Sequence, residues 1–295
     1  MIYRRKIMIK NNSEILFLYD AQMCNPNGDM DNENKPRMDY DSSINLVSDV
    51  RLKRYIRDYF EDIKNQEIFI SNKAKDAKER NKQIKEEGKT HCDLIDVRLF
   101  GAVTTEEDRG SHFTGPVQFN WGFSLHPVEF VDSSTITSSF SGGQGIGKDY
   151  RLYYSLIAFS GCINANASAE TGLSEEDIQL LDEAMIKAIP LARTRSKIGQ
   201  YPRLYLRIEL NGNDKFLKDL RGMIKVTSSN PVIAQNLRLI RKPEDYELDI
   251  SQLISYLSQC KDIIYCIHYW KDEEISIPDF DKIFIQEDWK HKLSF

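Results

Sequence analysis

From Val117 the chain alternates apolar and polar residues one for one: Val117, Phe119, Trp121, Phe123 and Leu125 are separated by Gln118, Asn120, Gly122 and Ser124. A period of two sends successive side chains to opposite faces of an extended chain, so this stretch predicts a strand with one face buried. The same period returns where Leu204, Leu206, Ile208 and Leu210 alternate with Arg203, Tyr205, Arg207 and Glu209, predicting a strand with a basic and aromatic outer face. Between the two lies a helix. Ser174 precedes Glu175, Glu176 and Asp177 at a capping-box spacing, Leu181, Ala184, Met185, Ala188 and Ile189 form one stripe, and Pro190 stops it. An earlier stripe, Leu52, Tyr55, Ile56, Tyr59, Phe60 and Ile63, predicts a second helix whose remaining surface carries Arg51, Lys53, Arg54 and Arg57.

Other segments fill in around these. Glu14 to Gln22 is a strand-length apolar stretch that runs into the turn-forming Asn25-Pro26-Asn27-Gly28-Asp29. Residues 71–93 are charged and nearly devoid of apolar side chains, the pattern of a surface insertion. Thr135 to Phe140 and Tyr150 to Asn164 flank a glycine cluster and predict a long hairpin with a pliant tip. A helix near Asp249 to Gln259 and strands over Asp262 to Tyr269 and Lys282 to Gln286 complete the chain. The mixed order gives an α+β fold, helices on one face of a largely antiparallel sheet, as one domain over residues 1–295. Its excursions are expected at 64–115 and 130–165, with an acidic part, 244–295, packing on the sheet.

Composition narrows the function classes. The chain has 295 residues, 41% hydrophobic, and its apolar runs are about a strand long, which excludes a bilayer-spanning helix and global disorder. No apolar segment follows the basic Met1 to Lys10, so a cytoplasmic chain with reduced thiols is expected of its five cysteines. A net charge of -5 argues against nucleic acid, but the charge is segregated. Pro190 to Lys225 holds nine basic residues against three acidic, and Glu244 to Phe295 twelve acidic against five basic.

Several motifs fail on chemistry. Gly142-x4-Gly147-Lys148 matches a phosphate-binding loop until Asp149, which offers no hydroxyl for a magnesium ion, and the aromatic run after it is not a helix. Asp29-x-Asp31-x-Glu33 begins like a calcium loop but has Asn34 and Tyr40 where glycine and the bidentate glutamate belong. Cys260, Cys266 and His268 have no zinc spacing and read as core packing. His112 and His126 form no nucleophile or acid-base constellation. No metal and no cofactor is expected. Arg193-Thr194-Arg195-Ser196-Lys197-Ile198-Gly199-Gln200 differs: cations interleaved with hydroxyl and amide donors suit phosphate and ribose oxygens, although a solvated loop has the same composition.

Together these segments resemble a family. Asn25-Pro26-Asn27-Gly28-Asp29 with the following loop to Arg37, Asp96-Val97-Arg98-Leu99-Phe100-Gly101, Gly115-Pro116-Val117-Gln118-Phe119 and Thr194 to Gln200 are similar, in that order, to the signatures of the backbone subunit of type I CRISPR surveillance complexes (Cascade), in the I-B/I-C-like branch. The resemblance spans roughly Ile15 to Leu210. It implies a RAMP-superfamily protein with an RRM-like (ferredoxin-like) palm, a β-hairpin thumb and a charged finger-like insertion. Several copies would polymerise along the spacer of one CRISPR RNA and present it to target DNA, without catalysis, beside a RAMP-type cap subunit and large and small subunits. Carried onto this chain, it implies RNA contacts from Asn27, Lys35, Arg37, Arg51, Arg54, Gln118, Lys148, Thr194, Arg195, Ser196, Lys197 and Gln200. The thumb would carry Gly142, Gly143, Gly145 and Gly147 at its tip. The alternatives are a RAMP-type endoribonuclease that processes CRISPR RNA, with His112 as acid or base, and a P-loop protein.

Overall fold

The computed structural model describes residues 8–103, 112–132, 134–137 and 146–295. Its axis is β1 (Ser13–Cys24). The chain then forms the short β2 (Met38–Asp39) and β3 (Ile44–Val47), helix α1 (Asp49–Asp62), and β4 (Val117–Phe119) and β5 (Gly122–Ser124). The long β6 (Leu152–Ile163), helix α2 (Glu175–Leu191), β7 (Gln200–Leu210), β8 (Ile264–Lys271) and β9 (Lys290–Lys292) follow. These strands make one sheet in the order β9-β8-β7-β1-β6-β5-β3-β2, with β4 also paired to β6. Among the described strands of this sheet, only β8 and β9 pair in parallel. On β6, β1 runs from Ser13 opposite Ile163 to Cys24 opposite Leu152. On β7, it runs from Ser13 opposite Glu209 to Ala21 opposite Gln200.

Both faces of this sheet are buried. Ile15, Phe17, Tyr19 and Ala21 of β1 pack with the stripes of α1 and α2. Leu16 and Leu18 point the other way, with Leu204, Leu206, Ile208 and Leu210, into a second core completed by Leu220, Ile240, Leu248, Leu253 and Leu257. The architecture is therefore three layers, the sheet lying between the helices and this second core. The run Ile15 to Tyr19 is apolar at both parities, as a strand covered on both sides must be.

The additional layer corrects the reading of β7. Arg203, Tyr205 and Arg207 do alternate with the leucines, but they are 5%, 0% and 5% exposed, so they present no basic-aromatic surface. Arg207 grips Asp182 of α2 with two bonds of 2.9 and 2.8 Å, and the Tyr205 hydroxyl donates to the same carboxylate at 2.7 Å. Arg203 donates to Asp20 at 2.8 Å, Asp272 at 2.7 Å and Glu274 at 2.6 Å, tying β1 to the C-terminal layer. The arginines face inward because each meets a carboxylate there.

Three further expectations change. The alternating stretch 117–125 is two strands, β4 and β5, separated at Asn120 and Trp121. Among the described residues the hairpin pairs Thr135–Thr137 with Ile146–Lys148 and continues down to Phe130 opposite Leu152, while Leu152–Ile163 lies in the main sheet. Gly142, Gly143 and Gly145 lie outside the described residues. In place of the strand expected over 282–286 there is a 3-10 turn, Phe280–Ile283, and the edge strand is β9. The charged insertion contains a helix, Ala77–Glu86, anchored by Ile84 against Phe69, Leu94 and Val97 and by Arg80 donating to the Ile68 carbonyl at 2.9 Å. One isoleucine and one buried arginine suffice, which is why composition conceals it.

Glu14 enters this core at a cost. Burial pushes its carboxyl up to about 7, with a 3.5 Å bond from the Leu217 amide as a partial offset. A carboxyl raised on folding contributes stability below its ordinary value of 4.5 that is lost as pH climbs through 7. Glu14→Gln is expected to raise the melting temperature by about 2–4 °C at pH 8 and to change it little at pH 4.5, read by thermal denaturation at the two values.

Candidate nucleic-acid interface

Three segments converge at the Cys24 end of β1. The loop after Cys24, the basic loop before β7 and the base of the hairpin before β6 are stitched there by backbone bonds. The Gln22 amide donates to the Gly199 carbonyl at 2.7 Å, and that of Asn25 to the Ser196 carbonyl at 3.0 Å. Gly199 has φ +101°, and a β-carbon there would lie 2.3 Å from the Gln22 carbonyl oxygen, so only glycine allows the approach. Arg151, which no motif in the sequence singles out, closes the third side. It donates to the Met23 carbonyl at 2.8 Å and the Arg195 carbonyl at 3.2 Å, while Asp149 neutralises it at 2.8 Å. The pattern Asp149-x-Arg151 at a hairpin base is the one signal that could have found it.

Thr194 and Arg195 are exposed at the rim, and the Thr194 carbonyl accepts from the amides of Lys197 and Ile198. Arg195 reaches Asp149 at 3.3 Å. Lys197 turns inward and donates to the carbonyls of Asn25 (2.6 Å) and Pro26 (3.2 Å). Burial, reinforced by the neighbouring Arg51, lowers its ammonium to about 8. Gln200 lies beneath, buried, bonded to the Tyr55 hydroxyl and the Lys197 carbonyl; it holds the loop from below. Arg51 stacks on the Tyr55 ring at 3.9 Å.

The loop after β1 supplies the other wall. Asn27 accepts from the Ser48 amide and hydroxyl, both at 2.9 Å, and so fixes the start of α1. Arg37 pairs with Asp29 at 3.1 Å. Lys35 lies over the Tyr150 ring, and Lys148 bridges to Glu33 at 3.1 Å. The Tyr150 hydroxyl and Lys148 hold the exposed Glu33 carboxyl below its ordinary value. With Asp29 and Glu33 so committed, the calcium-loop spacing is spent on ion pairs.

Two sequence candidates do not join this cluster. Arg54 binds Asp58 and the Ile70 carbonyl. Gln118, exposed, bonds Lys53 and the Gly115 carbonyl and stands opposite Cys162, ten residues along β6 from Leu152, or ~33 Å at ~3.3 Å per residue. Lys148 ends the strand Ile146–Lys148, so the glycine motif leads into extended chain and not into a helix amino terminus that would receive a phosphate. His126 is buried with its pKa lowered to about 4 by desolvation, and its ring bonds Pro127 and Leu156. The side chain of His112 lies outside the described residues.

A surface of paired cations can hold a polyanion by its backbone, while a sheet covered on both faces leaves bases nothing to stack on there. Over nearly its whole length the chain is similar to a CRISPR-associated protein Cas7 of Haloferax volcanii: 30% identity, covering 95% of this chain and 93% of the relative. Its fold is similar to that of a chain in a CRISPR RNA-guided surveillance complex, with TM-score 0.53 and 15% identity over 96% of this chain and 95% of that one. A chain of a second such complex, in a pre-nicking state, aligns with TM-score 0.51 and 12% identity over 93% and 98%. The family profile described as CRISPR-associated protein Cas7 matches residues 11–251, and the chain belongs to that family.

Proposed function

We propose that this chain is a non-catalytic backbone subunit of a cytoplasmic CRISPR RNA-guided surveillance complex. Copies of it line up along the spacer of the guide RNA and present it for pairing with target DNA. The observation that carries this is the convergence at Cys24 of Lys35, Arg51, Lys148, Arg195 and Lys197 from separate segments, beside a sheet covered on both faces. Such a site grips sugar and phosphate and ignores base identity, which a subunit that must accept any spacer requires. The finer architecture is read as an RRM-like palm. Its support is the strand order β7-β1-β6 followed by β4 and β5, with α1 and α2 on one face, the arrangement of a ferredoxin-like βαββαβ unit. The hairpin ending at Lys148 is the thumb, and the insertion carrying Ala77–Glu86 the finger. The cap, large and small subunits are further partners.

Expression of this subunit with a CRISPR array and a separate processing endoribonuclease tests the reading. A discrete small RNA with repeat-derived ends is expected to co-purify. Protein free of nucleic acid, or pure protein that cuts repeat RNA at one site, would overturn it, the latter in favour of the endoribonuclease.

Lys197 adds a pH signature. An RNA phosphate draws the proton back onto its ammonium, so above pH 8 binding takes up a proton and affinity falls by up to about tenfold per pH unit. The fold responds in the opposite sense, gaining stability through this group between 8 and its ordinary 10.5, because the depressed ammonium is the costly form. Binding titrations from pH 7 to 9.5 are expected to show the decline, and Lys197→Arg, which stays charged, to flatten it.

A further inference from the structure

We propose that Cys266, His268 and His291 form a binding site for one transition-metal dication of the zinc class at the β8–β9 edge of the sheet. Their ligand atoms, the Cys266 sulfur and a ring nitrogen of each histidine, lie within 4.8 Å of one another. The topology explains the meeting. Cys266 and His268 are two residues apart on β8 and share a face, and the parallel register sets His268 directly opposite His291. Linear spacing hides the set, because the third donor comes from an edge strand 23 residues further on.

A second observation points to a ligand. His268 Nε2 lies 3.2 Å from a Glu209 oxygen, and the other oxygen of that carboxylate accepts from Asn11 at 2.7 Å. A carboxylate behind a histidine is the usual outer partner of a metal-ligating imidazole: it fixes the proton on Nε2 and leaves the Nδ1 lone pair free. That Nδ1 faces His291 Nδ1 at 2.7 Å, where one shared proton joins the two rings. Arg207, the cation beside Glu209, is committed to Asp182 and approaches Glu209 only at 3.9 Å.

Loading the site needs two changes. The Cys266 thiol, which donates to the Trp289 carbonyl at 3.3 Å, releases its proton to solvent as its sulfur binds the metal. The His291 proton moves from Nδ1 to Nε2, so both facing nitrogens offer lone pairs. Metal–nitrogen bonds of about 2.0–2.1 Å in a tetrahedron set the nitrogens roughly 3.3 Å apart, a small opening for an exposed side chain on a three-residue strand. One thiolate and two imidazoles suit zinc or cobalt rather than magnesium or calcium, and the fourth position stays open to water or a donor from another molecule.

Cobalt titration of the chelator-stripped full chain tests the proposal. One Co²⁺ per chain is expected, with tetrahedral visible bands and a thiolate charge-transfer band in the near ultraviolet, both erased by one equivalent of Zn²⁺. Cys266→Ser should abolish the charge-transfer band. His291→Ala, at an exposed position with circular dichroism as the check on folding, should weaken binding about 100-fold, and Glu209→Gln about 10- to 100-fold. No uptake at one equivalent, an unchanged charge-transfer band in Cys266→Ser, or undiminished affinity in His291→Ala would each overturn it.

Discussion

Asp182→Ala is expected to destabilise the chain by about 3–5 kcal/mol, a large loss for one side chain. The carboxylate, 1% exposed, accepts from the Tyr205 hydroxyl and receives both bonds from the Arg207 guanidinium. Its removal strands a buried charge between α2 and β7, with Glu209 left at 3.9 Å. Urea denaturation measures the loss. The compensating double change, Asp182→Leu with Arg207→Met, should recover most of it, since an apolar pair costs little where a half-pair costs much. A single-variant loss below about 1 kcal/mol would mean that the pair is open to water.

Arg195→Ala combined with Lys148→Ala is expected to weaken RNA binding about 10- to 100-fold at moderate salt, equally for unrelated sequences. The plot of log affinity against log salt should flatten by about 1.4, or about 0.7 for each phosphate of a single strand that goes unneutralised. Both side chains are mostly exposed, Arg195 pairing with Asp149 and Lys148 with Glu33 and the face of the Tyr150 ring, so the fold should notice little. Lys197 is the poorer choice for truncation because its ammonium also holds two carbonyls of the neighbouring loop. Fluorescence anisotropy with two unrelated RNAs over a salt series gives both readouts. A loss confined to one RNA would place base reading, not backbone gripping, at this surface.

What the residues reveal on their own is local. Helix α2 is written in Ser174, its acidic first turn and its stripe, and β7 in its period of two, because neighbours in sequence set those patterns. The third layer is legible only as an acidic part expected to pack on the sheet, since Leu220, Ile240, Leu248 and Leu253 arrive from separate short segments with no common period. For the same reason Arg203 and Arg207 read as surface: alternation says that two faces exist, not that both are covered. At the interface, composition and resemblance pick out Thr194, Arg195 and Lys148. They cannot pick out the carboxylate partners, as Glu33 lies 115 residues before Lys148. The inward turn of Lys197 and Gln200 depends on a left-handed glycine that sequence alone does not mark as such.

The two ends of the main sheet carry a consequence for assembly. One edge is the two-residue β2, Met38–Asp39, and the other the three-residue β9, Lys290-His291-Lys292. Edges this short, one of them lined with lysine, are poor templates for another strand. If copies gather on one RNA as proposed above, sheet fusing to sheet into an insoluble ribbon is a standing risk. Blunted edges remove that route; on the proposed reading neighbours meet through loops and insertions, and the RNA, rather than the sheet, sets how far the row extends.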